Sequence, residues 1–165
     1  MEALAAIGAV VLVGGVIALI VRWNKRGQLS RNELVIQTNA MLRRVGDELG
    51  LGFVEERAYE HPSQGRFESF GSLHGELHGV EVMVRMSNDA HDDFEYRMQI
   101  LARTTKDDAT QAKRRFAAFH TRYRDGWQVL EPRVKRIDTG PYTHRLIADG
   151  AALRRIIEEV ATALR

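Results

Sequence analysis

From Ala3 to Val21 the chain reads ALAAIGAVVLVGGVIALIV, 19 residues without a charge or a strongly polar side chain. As a helix rising about 1.5 Å per residue this stretch is about 28 Å long, the thickness of the hydrocarbon layer of a bilayer. A buried helix of a water-soluble protein is rarely apolar on every face over this length, whereas a membrane span is. Gly8, Gly14 and Gly15 do not argue against the helix, because glycine is common in spans, where backbone groups have no alternative to intrahelical hydrogen bonds.

The flanking charges give the segment a direction. Only Glu2 and the α-amino group precede it, while Arg22, Lys25 and Arg26 follow it, with Trp23 at the depth of an interfacial aromatic. A cleaved secretory signal carries its positive charges in front, the reverse of this order. The positive-inside rule therefore predicts a single-pass protein of the inner (plasma) membrane, its N-terminus outside and the rest of the chain cytoplasmic. Lipid is then the partner of residues 3–21. Ala5 with Ala9, and Gly14 with Ala18, repeat small residues four apart, a spacing that would also allow a homodimer through this helix.

The predicted organisation is an anchor over 1–22, a juxtamembrane linker over 23–29 and one soluble domain over 30–165. About 140 residues suffice for one cored domain and are short for two. The 165 residues include no cysteine, which excludes a disulfide scaffold, a thiolate metal site and a cysteine nucleophile. The formal charge of +2 excludes nothing by itself but gives no support to bulk nucleic-acid coating.

Within the domain, Gly27 to Leu29 reads as a break, and Ser30 with Glu33 has the capping-box spacing that opens a helix carrying Leu34, Thr38, Met41, Leu42, Val45 and Leu49 on one face. Gly50 is its natural stop. Val80, Val82, Val84 and Met86 alternate with polar neighbours, as do Phe94, Tyr96, Met98, Ile100 and Ala102 against Glu95, Arg97, Gln99 and Arg103. With an extended segment over 67–77 and a tight turn at His78 and Gly79, this predicts a three-stranded antiparallel meander. A second helix is predicted from a cap at Thr105 through Ala112, Phe116, Phe119 and Tyr123 to Gly126. Strands follow over 127–130 and 142–148, and then a helix capped by Asp149 with a stripe of Leu153, Ile156, Ile157, Val160 and Leu164. The fold class is α+β, antiparallel strands with helices packed on one face.

Three groups of residues invite a functional reading. His74 and His78 stand four apart in a repeated Leu-His-Gly, with His61 or His91 as the third candidate ligand, but a turn at His78 parts the two rings and metal sites need three or four convergent ligands. Asn88 to Asp93 concentrates oxygen donors without the spacing, glycine or closing glutamate of a calcium loop, so a solvated loop accounts for it. Lys113, Arg114, Arg115, Arg122 and Arg124 on the predicted second helix, with Arg133, Lys135 and Arg136 beyond, make a basic stretch open to three roles: a solvated surface, a patch facing anionic lipid, or a nucleic-acid site. Nucleic acid is the least favoured, because no stacking aromatics or known module accompany it. No phosphate loop, serine elbow or metalloprotease helix is present, and no cofactor is implied. The expectation is a membrane-tethered, non-enzymatic interaction or scaffolding domain for an unknown protein partner. A ligand- or metal-binding module or enzyme centred on the histidine hairpin and the 88–93 loop is the alternative.

Overall fold

The computed structural model describes residues 2–62, 65–89, 92–112 and 115–165, the side chains of 2–15, 61, 89, 92–94 and 111–112 excepted. Its first element, α1 (Glu2–Leu49), is a single helix of 48 residues, about 72 Å long. The predicted break at Gly27–Leu29 is absent, so residues 23–29 form helix rather than a linker and Ser30 has no helix start to cap. Gly27 serves a contact instead of a turn. A Cβ there would stand 2.8 Å from Pro141 Cδ and 2.9 Å from Gly140 Cα, so only glycine lets the helix seat against that turn.

From Gly27 onward α1 is docked. Gly27, Gln28, Arg31, Val35, Thr38, Met41, Leu42, Val45 and Gly46 are buried at intervals of three and four, the stripe of an amphipathic helix. Before Gly27 the helix stands clear of the domain: Val16, Ile17, Leu19, Ile20, Val21 and Trp23 are each more than half exposed. Among the described residues no helix is long and apolar enough to cross a membrane. Most of the expected span, residues 3–15, lies outside the described side chains. The far end of α1 closes as predicted at Gly50 (φ 71°), where the Leu51 amide donates to the Gly46 carbonyl at 2.8 Å.

Among the described residues ten strands follow: β1 (Gly52–Val54), β2 (Tyr59–His61), β3 (Gly65–Phe67), β4 (Ser72–Leu77), β5 (Val80–Asp89), β6 (Asp92–Arg103), β7 (Phe119–Arg124), β8 (Trp127–Pro132), β9 (Ile137–Thr139) and β10 (Tyr142–Arg145). Two more helices, α2 (Lys106–Ala112) and α3 (Gly150–Ala163), complete the α+β fold. The meander β4-β5-β6 forms as its alternation requires, turning at His78 (φ 54°) and Gly79 (φ 84°), the left-handed pair of a two-residue hairpin. The main sheet runs β1-β4-β5-β6-β10-β9, with β8 also on β6 and β7 on β8, while β2 and β3 form a separate ribbon. Every pairing is antiparallel except β10 on β6.

The predicted long second helix is replaced by α2 and a hairpin. α2 starts at the Thr105 cap, whose Oγ1 accepts from the Asp108 amide at 3.2 Å, and stops at Ala112. Phe116 turns into the core, and β7 pairs with β8 across Asp125 (φ 53°) and Gly126 (φ 83°), a second turn of the His78-Gly79 kind. An Asp-Gly pair between alternating segments outcompeted the helical spacing of four apolar residues.

One face of the sheet makes the core. Leu73, Val82, Val84, Met98, Ile100, Ala102 and Leu130 meet Val35, Leu42 and Val45 of α1 and Leu153, Ile157 and Val160 of α3, all essentially inaccessible. α3 is capped as predicted, Asp149 Oδ1 accepting from the Ala151 amide at 3.0 Å. Both long helices lie on this face.

Candidate functional site

Among the described residues, the histidines singled out in the sequence do not gather into one site. His74 sits within β4 with Nε2 2.7 Å from Ser72 Oγ, and His78 is exposed in the hairpin turn. His91 lies outside the described residues, and among those described no group of three His, Asp or Glu could hold a metal ion. The 88–93 segment is mostly strand, the ends of β5 and β6, rather than an extended loop.

The basic stretch is also redistributed. Lys113 and Arg114 lie outside the described residues, Arg115 is exposed in a turn, and Arg122 and Arg124 belong to β7, not to a helix. β10 starts beside Gly27, and by Gly150 the chain is beside Met41 and Arg44, so β10 and its parallel neighbour β6 run in the same sense as α1. Arg124 pairs through Trp127 with Arg103, seven residues beyond Tyr96 on β6, about 23 Å further along the strand. These arginines therefore sit at the end remote from the apolar part of α1. Arg22, Lys25 and Arg26 are exposed at the end where that part leaves the domain.

What the tertiary structure does assemble is a fork in the sheet. β6 pairs over Glu95–Arg97 with β10 and over Ile100–Arg103 with β8. At Met98 and Gln99, between the two, it has no register partner on that side among the described residues. β10 and β8 run toward each other and their C-terminal ends part at this gap, leaving a hollow of about 420 Å³ walled by Arg97, Met98, His120, Glu131, Arg133 and Arg145. Pro132, which ends β8, has no amide hydrogen to continue the ladder. A smaller hollow of about 250 Å³ adjoins it past Arg97 and Glu131, toward Gln99, Arg122 and Arg124.

The charges here are layered. Glu95 accepts from Arg97 at 3.0 and 3.2 Å and from Arg145 at 2.9 Å, and these hydrogen bonds hold its carboxyl below the usual carboxylate range. Glu131 takes Arg122 at 2.9 Å and the Gln99 amide at 2.8 Å, and Gln99 in turn accepts from Arg85 at 3.3 Å. The carboxylates are recessed, 16% and 14% exposed, whereas Arg97, Arg145 and Arg122 are 36%, 42% and 59% exposed. Acids below and guanidiniums above give the face a positive outer layer, and its three paired arginines outnumber the two glutamates.

A second cluster lies where α1 enters the domain. Arg31, only 3% exposed, carries its guanidinium carbon 5.0 Å from the ring centre of Tyr96, 5.4 Å from Phe67, 5.5 Å from Tyr142 and 5.9 Å from Phe70. Its Nη1 donates to the Glu68 carbonyl at 2.9 Å and its Nη2 to the Tyr96 hydroxyl at 3.3 Å. Beside it His144, fully buried, stacks on Tyr96 at 5.3 Å and meets Thr139 Oγ1 at 2.9 Å. Arg31 and His144 are both buried among these rings, so the cluster is a structural key between α1 and the sheet.

Burial, reinforced by the Arg31 charge against a weaker pull from Asp138, lowers the His144 pKa to about 4. The unfolded chain then takes up a proton near 6.5 that the folded protein refuses until about 4. Stability from this group is full above 6.5 and falls by up to about 3 kcal/mol as pH drops through that window. Urea midpoints at pH 7 and pH 4.5 for the protein and for His144→Gln check this. The drop is expected to be smaller in the variant, and an equal drop in both would assign it to other groups.

No family model matches the chain, and no curated protein or solved structure shows similarity to it.

Both assembled clusters escaped the sequence reading. Arg31 was detectable as the one charge in register with Val35, Thr38 and Leu42. The fork joins Arg97, Glu131 and Arg145 from three segments, and the only trace was charge on the polar positions of β6.

Proposed function

We propose that the chain is a membrane-anchored binding protein whose N-terminal helix crosses the bilayer and holds the α+β domain at the cytoplasmic face. One observation carries the reading. α1 leaves the domain as continuous helix, and there its side chains from Val16 to Val21 are apolar and exposed on all sides. A soluble helix would cover such residues, whereas lipid leaves them at no cost. Arg22, Lys25 and Arg26 then mark the inner interface and set the orientation.

The absence of a break at residues 23–29 adds to this. A tether of unbroken helix, locked at Gly27 and Arg31, transmits the orientation of the span to the domain, so the sheet's open face is presented at a set angle rather than swept about on a flexible leash. The role supported best is to display that face beside the membrane to a binding partner.

The full-length chain is expected to sediment with membranes and to resist alkaline carbonate. Its domain is expected to be digested by protease in inside-out vesicles and protected in intact cells. Recovery in the carbonate supernatant would remove the anchor, and digestion in intact cells would reverse the orientation.

A further inference from the structure

We propose that the fork between β8 and β10 is a binding site for a small phosphate-bearing molecule. This names the ligand class of the open face invoked above, and it rests on that reading only for the site's place at the membrane.

The site is built by topology. Where a strand changes neighbours, the sheet leaves a crevice at the ends of the parting strands, the situation that places ligands at switch points of open sheets. Here β10 and β8 bring their C-terminal ends to the same gap on β6. The hollow of about 420 Å³ is larger than a phosphate group alone and has room for the group that carries it.

The lining selects the charge. Arg97 comes from β6, Arg145 from β10, Arg133 from the segment after β8, and His120 from β7. Donors from four segments therefore line one hollow. Guanidinium forks pair with carboxylates and phosphates alike, and the several oxygens of a phosphate can take donors from more than one arginine at once. Arg97 and Arg145 are aimed by the recessed Glu95 they share, the way an outer ring of hydrogen bonds positions groups that touch a ligand. Arg133 is exposed and makes no ion pair among the described residues, so its charge is available to a ligand.

The experiment is calorimetric titration of the full chain in nonionic detergent with pyrophosphate at constant ionic strength. Saturable one-to-one binding is expected, weakened about tenfold or more in Arg133→Gln, with partial recovery in Arg133→Lys. Arg43→Gln removes an exposed charge on α1 away from the fork and is expected to leave binding unchanged. No saturable binding, or equal losses in Arg133→Gln and Arg43→Gln, would overturn the site, the second outcome showing diffuse charge attraction. An unchanged melting temperature in Arg133→Gln keeps a loss of binding from being a loss of fold. Membrane sedimentation is read separately, so a chain that binds pyrophosphate but stays in the aqueous fraction refutes the anchor alone.

Discussion

Arg31→Ala is expected to destabilise the protein by about 4 kcal/mol, the range of large buried truncations. The side chain is held by four ring faces within 6 Å, by the Glu68 carbonyl and by the Tyr96 hydroxyl, and no carboxylate among the described residues pairs with it. The guanidinium tolerates this site because each ring presents the negative face of its quadrupole and because Arg is the more weakly hydrated of the two basic side chains. Removing it empties the centre of the box and leaves the Glu68 carbonyl and the Tyr96 hydroxyl without their donor. Arg31→Met separates the contributions, keeping much of the volume without the charge. A stability at or above that of the natural protein would show that the rings need only filling, a known outcome for buried charges. Denaturation of the full chain in detergent, followed by the fluorescence of Trp127 in β8, measures all three. A loss under about 1 kcal/mol for alanine would refute the key role of Arg31.

Gly140→Val is expected to cost about 4 kcal/mol, of which roughly half is backbone strain and the rest the collision with α1. Gly140 has φ 64°, a conformation a β-branched residue resists, and a Cβ there would lie 2.6 Å from the Gly27 Cα. Gly79→Val is the internal control. Its φ of 84° imposes similar strain, but nothing stands within 4 Å of the added atom. The difference between the two variants in urea unfolding isolates the glycine contact that seats the helix. Equal costs would mean that α1 does not press on the β9–β10 turn. Because Gly27→Ala strikes the same contact from the other side, its effect is expected to fall short of additivity with Gly140→Val.

The loss of docking in these variants bears on function through the tether. Under the proposed anchoring, α1 unseated near Gly27 would no longer hold the apolar segment and the domain on one rigid axis, and the open face would lose its set angle to a bilayer. The pyrophosphate site, some distance along β6 and β8, is expected to survive in the fraction that remains folded.

Several elements were readable from the residues because their determinants are local. The β4-β5-β6 meander follows from strict alternation around His78-Gly79, and α3 follows from Asp149 and its apolar stripe. The failures share a cause. Gly27 is equally a helix breaker and a close-contact glycine until Gly140 and Pro141, more than a hundred residues away, are seen beside it. Ala112, Phe116, Phe119 and Tyr123 suit a helix by spacing, and the pairing of β7 with β8 took Phe119 and Tyr123 into a strand because a hairpin ladder and a core seat for Phe116 outweigh weak local propensity. Chain-local periodicity thus decided the fold class, the meander and the last helix. Only three-dimensional packing joined Arg31 to its four rings, ran α1 unbroken through Gly27 and opened the fork at Met98, because each depends on contacts between segments whose separation along the chain carries no signal of their meeting.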